Sequence, residues 1–226
     1  EEIKRICDKY KIKYFAEWGT LLGAVRHKGI IPWDDDIDIG MLRDDWNRFA
    51  QIAPHELDAW FEMKNIYNDT EQDNCIMRVI NSRHMNFDTD FLERFHMCPF
   101  STGIDIFPID YIPRDSKKDK DLVHLIHTLM VTAATVSEEP PYTSDDREIA
   151  EMWEKTLGIK IDWNNRLHHE IKKMVDMAMQ QCTPEEADEV CSMMRRQNGQ
   201  DYHVPKEYYD EWIDMPFEYT TIPVPK

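Results

Sequence analysis

Between Ile31 and Met41 the chain reads IPWDDDIDIGM, four aspartates within five positions, set between hydrophobic residues. Carboxylates held close together in a low-dielectric setting repel one another, so such a segment must turn them to water or gather them round a cation. Asp36 and Asp38 are one residue apart. On a strand they point to the same face, while Ile37 and Ile39 point to the opposite, buried face. Paired carboxylate oxygens suit a hard cation, Mg2+ or Mn2+, which keeps positions open for phosphate oxygens. Asp105, in GIDIF, is a third carboxylate set between isoleucines. If its strand neighbours the first, Asp36, Asp38 and Asp105 converge on one metal site.

Apolar spacing gives the surrounding elements. Glu2 to Ile12 has helical spacing, KYFAEWG reads as a short strand ending at Gly19, and TLLGAVRHKG as a helix with Thr20 as its N-cap. Leu42, Trp46, Phe49 and Ile52 share one helical face. Strands are expected near WFEMKNI, CIMRVI and STGIDIFPIDYIP. This interleaving predicts an α/β (α+β) core, a mixed sheet flanked by helices, over residues 1–113. PRDSKKDKD then reads as a charged linker into a helical C-terminal region, residues 114–226, packing on the core and shaping an acceptor site. Helices are expected over Leu122 to Val136 and Trp163 to Cys182, with SEEPPYTSDD as the loop between them. Thr183-Pro184-Glu185-Glu186 has the capping-box pattern of a third helix, running through Met194. The tail MPFEYTTIPVPK reads as irregular or edge-strand material.

Gly19-Thr20 sits at a strand-to-helix turn, where glycine permits close approach of a phosphate and the helix N-terminus offers unpaired N–H groups. Arg26, His27 and Lys28 bring positive charge between that turn and the aspartates, suited to phosphate or leaving-group charge. Arg78 has two readings, donor phosphates or a surface carboxylate. His124 with His127, and His168 with His169, lack two further ligands at zinc spacing and are expected as solvated helix residues.

A net charge of −17 argues against a nucleic-acid polymer or an anionic membrane as partner, since both need basic stripes. A nucleotide is still compatible, because a local metal or arginine overrides the global sign. No apolar run approaches the roughly 20 residues that span a bilayer, and the opening EEIKRICDKYKIKYF is not a signal-peptide pattern. Five cysteines without a CxxC pair suit free thiols in a reducing compartment, so a cytoplasmic location is expected.

EWGTLLGAVRHKGIIPWDDDIDIGM closely resembles the signature of the LicD/fukutin-type family within the nucleotidyltransferase superfamily. Gly19-Thr20, Asp36-Ile37-Asp38 and Asp105 fall where that pattern has its Gly-Gly/Ser turn, its Asp-x-Asp and its third acidic residue, with threonine in place of the commoner serine. GIDIFPIDYIP and MPFEYTTIPVP resemble two later blocks of the family. The resemblance implies the nucleotidyltransferase fold and a metal-dependent phosphotransferase. Such an enzyme moves phosphocholine, or a polyol phosphate such as ribitol phosphate, from CDP-choline or another CDP-alcohol to a hydroxyl of a cell-surface glycan, releasing CMP. Phosphocholine is the cargo preferred on this resemblance. Asp36, Asp38 and Asp105 would hold the metal, with Asp105 taking the acceptor proton. Gly19, Thr20, Arg26, Lys28 and Arg78 would serve the phosphates. Asp34 and Asp35 would hold Arg26 or a metal-bound water, and Asp110 would support the site from behind. Related chains generally continue past the closing block, so a segment completing the acceptor pocket is expected to be missing from this sequence.

Overall fold

Alternation of isoleucine with charged residues organises the first of two units. The computed structural model describes residues 1–196, 199–200 and 202–226, and this unit comprises Glu1–Asn65, Ile76–Ile109 and Glu207–Lys226. Its strands are β1 (Phe15–Ala16), β2 (Asp38–Leu42), β3 (Glu62–Lys64), β4 (Met77–Ile80) and β5 (Gly103–Pro113), the last running on into the second unit. They lie in the order β1-β2-β5-β4-β3, with β2 and β5 parallel and the other neighbours antiparallel. The result is a mixed sheet with helices, an α/β fold as the sequence predicts. Ile39, Met63, Met77, Val79 and Ile106 bury one face in a core with Ile3 and Ile6 of α1 (Glu2–Tyr10) and Trp46 and Phe49 of α3 (Arg43–Glu56). Trp46 Nε1 donates to the Ile106 carbonyl at 3.2 Å, which satisfies its one polar atom inside that core.

Two more helices, α2 (Trp18–Arg26) and α4 (Thr89–Arg94), and the hairpin of β8 (Trp212–Phe217) and β9 (Thr220–Pro225) complete the unit. Phe217, Ile222 and Val224 of the hairpin are part of the same core. Its two-residue turn places Glu218 at φ 52, as a tight hairpin turn demands. The Glu218 carboxylate accepts the Ile30 N–H at 2.8 Å, and its own N–H donates to the Lys28 carbonyl. The closing block thereby fastens the loop between α2 and β2.

The second unit comprises Ile66–Cys75 and Asp110–Lys206. Its core joins Leu122, Ile126 and Leu129 of α5 (Ser116–Thr135) to Leu167, Ile171, Met174 and Val175 of α7 (Leu167–Met179). α5 begins inside the stretch expected as a linker. Asp115 accepts the N–H groups of Lys117 and Lys118, so those charged residues form its capped first turn. α6 (Ser144–Leu157) was not expected at all, although Thr143 and Asp146 form a complete capping box. The expected helix from Thr183 to Met194 is a correction. The capping box is there, but it closes only a 3-10 turn, Pro184–Glu186, before strand β6 (Ala187–Cys191). β6 pairs antiparallel with the end of β5 and with β7 (His203–Pro205), and this pairing overrides the local helix signal. A short helix, α8 (Met193–Arg196), follows β6.

Composition places the division at Pro113, whereas residues 207–226, the hairpin included, count with the first unit and 66–75 with the second. Burial accounts for both, since Ile222 and Val224 join the first core while Ile66 and Cys75 join the second. All five cysteines are free thiols. No described helix is long and apolar enough to cross a membrane.

Candidate active site

The strand register builds a charged row on the face of the sheet opposite the isoleucines. Asp38 is directly registered with Asp105 on the parallel neighbour, and Asp105 with Arg78 on the next strand. Arg78 is in turn registered with Lys64. Directly registered residues share a face, so two carboxylates and two cations lie side by side across four strands. On the other flank the Glu17 N–H donates to the Asp38 carbonyl, extending the row by one more carboxylate. The Glu17 side chain lies over Gly40, where an added Cβ would stand 2.8 Å from Glu17 Cγ. Tyr209 Oη donates to Glu17 Oε1 at 3.1 Å.

Asp105 is half-buried, and its Oδ1 lies 2.5 Å from Arg78 Nε. Burial nevertheless raises its pKa above the ordinary carboxylate value, against the pull of Arg78 and with a further push from Asp36. Asp36 is thus close enough to Asp105 for repulsion to register. It precedes β2 rather than lying within it, but the Asp105 N–H donates to the carbonyl of Ile37, which keeps the two segments side by side. The carboxylate oxygens of Asp34, Asp35 and Asp36 lie within 4.8 Å of one another, the one such trio among the described residues. Asp34 and Asp35, expected as supports, therefore stand with Asp36 in a single cluster.

The turn into α2 explains how Asp34 comes so close. Trp18 has φ 40, a left-handed conformation rare and costly for a bulky residue. Its ring packs edge-on against Phe107 with centroids 4.1 Å apart, which helps hold that conformation. A Cβ on the next residue, Gly19, would stand 2.5 Å from Asp34 Oδ2. The glycine thus leaves room for a carboxylate against the first turn of α2, where the helix dipole favours negative charge. Thr20 is a correction: the N-cap is Glu17, and Thr20 lies buried in the first turn. Its Oγ1 accepts the Asp38 N–H at 2.8 Å and so fixes the start of β2.

Hard carboxylate oxygens in this number fit a divalent cation such as Mg2+. Asp34, Asp35 and Asp36, with Asp38 and Asp105 in register beside them, are the residues present to hold one.

Residues 11–124 match the model of the LicD/FKTN/FKRP family, described as its nucleotidyltransferase domain, and that span is half of the chain. This chain belongs to the LicD/FKTN/FKRP family. Lipopolysaccharide cholinephosphotransferase LicD of Haemophilus influenzae is 37% identical over 118 residues, 50% of this chain and 40% of that protein. Human ribitol 5-phosphate transferase FKRP is 32% identical over 79 residues, 34% of this chain and 16% of that protein. An uncharacterized protein of Rickettsia typhi is 46% identical over 65 residues, 29% of this chain and 21% of its own length. The chain spans well under half the length of each of these relatives.

The remaining candidates of this LicD/FKTN/FKRP chain divide. Arg78 joins the row, and the carboxylate it pairs with is itself a site candidate. Arg26 is exposed and faces the Trp33 ring at 6.0 Å rather than pairing with Asp34 or Asp35. Lys28 is exposed, with φ 60. Asp110 is buried in the second unit, registered with Cys191. His124 and His127 are exposed as expected, whereas His168 and His169 are buried, contrary to expectation, because α7 is covered there by Asp73 of the 66–75 segment. Glu17, Lys64, Tyr209 and Glu218 were missed. None belongs to a recognisable spacing, and only strand register, the hairpin or the turn just before it brings them near the motif.

Proposed function

We propose that this chain is the donor-handling part of a metal-dependent phosphotransferase that moves an alcohol phosphate, phosphocholine first, from a CDP-alcohol to a hydroxyl of a cell-surface glycan. The observation that carries the reading is the row Asp38–Asp105–Arg78. It sets carboxylates for a cation directly beside a guanidinium for phosphate oxygens. Relatives named as cholinephosphotransferase and ribitol 5-phosphate transferase support the transferred group.

Asp36, Asp38 and Asp105 hold Mg2+ in this reading, with Asp34 and Asp35 beside them. When bound, the ion neutralises the diphosphate and the charge that develops on the leaving CMP. Arg78 leaves its pairing with Asp105 to share a phosphate oxygen. Gly19 and the first turn of α2 receive another once the Asp34 carboxylate turns from them, and Thr20 keeps Asp38 in place. The acceptor oxygen forms a bond to the choline-bearing phosphorus as the bond from that phosphorus to the CMP oxygen breaks. The electron pair leaves with CMP, and the acceptor proton passes to the Asp105 carboxylate.

Calorimetric titration with CDP-choline, CDP-ribitol, CTP and UDP-glucose, each with Mg2+ and with EDTA, tests the reading. Metal-dependent binding of one CDP-alcohol above the others is the expected result. Preference for CTP would make the protein a nucleotidyltransferase that releases pyrophosphate, and preference for UDP-glucose a glycosyltransferase. Glycan binding without metal, and no donor binding, would make it a non-catalytic module.

A further inference from the structure

In a chain of net charge −17, four nitrogen-bearing side chains converge on one carboxylate in the second unit. Around Asp73 stand Arg166 Nη2 at 3.7 Å, His168 Nε2 at 3.2 Å, His169 Nδ1 at 3.7 Å and Lys172 Nζ at 3.9 Å. Arg166 precedes α7 and the others lie in its first turns, so the cluster belongs to the N-terminal end of a 13-residue helix, where the dipole favours negative charge. His169 is fully buried, and neither of its ring nitrogens has a hydrogen-bond partner; buried His168 Nδ1 has none either. A buried imidazole nitrogen without a partner loses its hydrogen bond to water and gains none, so its persistence calls for a cause.

The distances supply one. Charge-assisted N–H···O bonds close to about 2.7–2.9 Å. Here only His168 comes within 3.2–3.3 Å of Asp73, and the other three stay at 3.7–3.9 Å. A flat carboxylate with two oxygens is too small for this cage. Arg166 is held at its 3.7 Å by donating to the Thr70 carbonyl, and neighbouring Lys173 turns away to Glu170 at 2.7 Å. Asp73 itself is 41% exposed, so solvent and solutes reach it.

We propose that this cage is a binding site for a phosphate monoester, and that Asp73 is an internal anion which such a ligand displaces. A tetrahedral phosphate offers three terminal oxygens and a charge of about −1.5 to −2, and so spans donors that a carboxylate cannot reach together. The carboxylate of Asp73 is stabilised in its ionised form by Lys172, His168 and Arg166 against the cost of its burial, as a group standing in for a stronger anion would be. This site shares no residue with the donor site and does not depend on the reading given to that site.

The test is titration of the whole chain with inorganic phosphate and with glucose 6-phosphate, in EDTA and at constant ionic strength held by chloride. EDTA silences any metal-dependent binding at the aspartate cluster. Wild type is expected to bind both, Asp73→Ala at least tenfold more tightly, and Lys172→Gln and Arg166→Gln at least tenfold more weakly. Phosphate should raise the melting temperature of wild type and leave that of Arg166→Gln unmoved, which decides the matter even if Asp73→Ala fails to fold. Absence of a phosphate-dependent shift in wild type, or equal binding by wild type, Lys172→Gln and Arg166→Gln, would overturn the proposal and leave the cluster as a clamp between the 66–75 segment and α7.

Discussion

Asp105 and Asp146 are both drawn out of water, and the protein treats them in opposite ways. Burial alone would raise Asp146. Instead the Thr143 N–H (2.9 Å), the Ser137 and Thr143 hydroxyls (2.8 Å each) and the Ser137 N–H (3.2 Å) hold it down to about 2. Asp105 has Arg78 on one side and Asp36 on the other, and its pKa is raised. A carboxylate saturated with short-range donors serves the fold, here by starting α6. A carboxylate set against other carboxylates, with Arg78 as its exposed partner, is left short of donors, which is what the proposed cation site requires. Charge number does not separate the two; donor supply does.

The largest test of this contrast is Asp105→Asn. Its raised pKa means that the folded state disfavours the ionised form, so its stability contribution declines as pH rises from 3.8 through the folded pKa. Removing the charge should therefore leave the melting temperature at pH 7 unchanged or higher. Turnover of the CDP-alcohol should fall on the order of a thousandfold, as for loss of a principal electrostatic group. A variant that loses stability and keeps its turnover would erase the contrast.

Asp146→Ala should behave in the opposite sense. The folded pKa is depressed from 3.8 to about 2, so its stabilisation is full above pH 3.8 and is lost as pH falls through about 2. Urea unfolding at pH 7 should show a loss of about 2 kcal/mol, and the gap from wild type should close in acid. A constant gap at all pH values would mean that packing, not the ionised carboxylate, carries the effect.

Gly19→Ala sharpens the comparison within the site. The new Cβ meets Asp34 Oδ2, the movable end of a side chain, so stability should change by less than about 0.5 kcal/mol. Displacing that carboxylate from its cluster should still cost roughly tenfold in Mg2+ affinity, about 1.4 kcal/mol, read by metal titration. Glu218→Ala should have the smallest effect, about 1 kcal/mol or less, because it removes one acceptor at an exposed turn. Faster hydrogen exchange at the Ile30 amide is the sensitive measurement.

The first motif was readable because its information is local. The period-two spacing of Asp36, Ile37, Asp38 and Ile39 already says which side chains share a face, and the GIDIF alternation says the same for Asp105. Helix α6 was overlooked despite its capping box because the prolines before it dominate the local composition. Residues 187–191 misled because capping chemistry is local, while the pairing of β6 with β5 spans about eighty residues of chain. His168 and His169 looked solvated since nothing near them in sequence announces Asp73. Arg78 left two readings open, and register joined it to Asp105.

The amino-acid sequence by itself determined the alternating strands, the acidic turn with its glycine, and the family, because periodicity and side-chain chemistry act over a few residues. Only the tertiary structure decided which carboxylates lie together. It placed Asp38 beside Asp105, brought Arg78 and Glu17 into the same row, and left Asp110 in the second unit. Strand order and register are choices among many pairings of similar local energy, and they are settled by which faces can be buried at the same time.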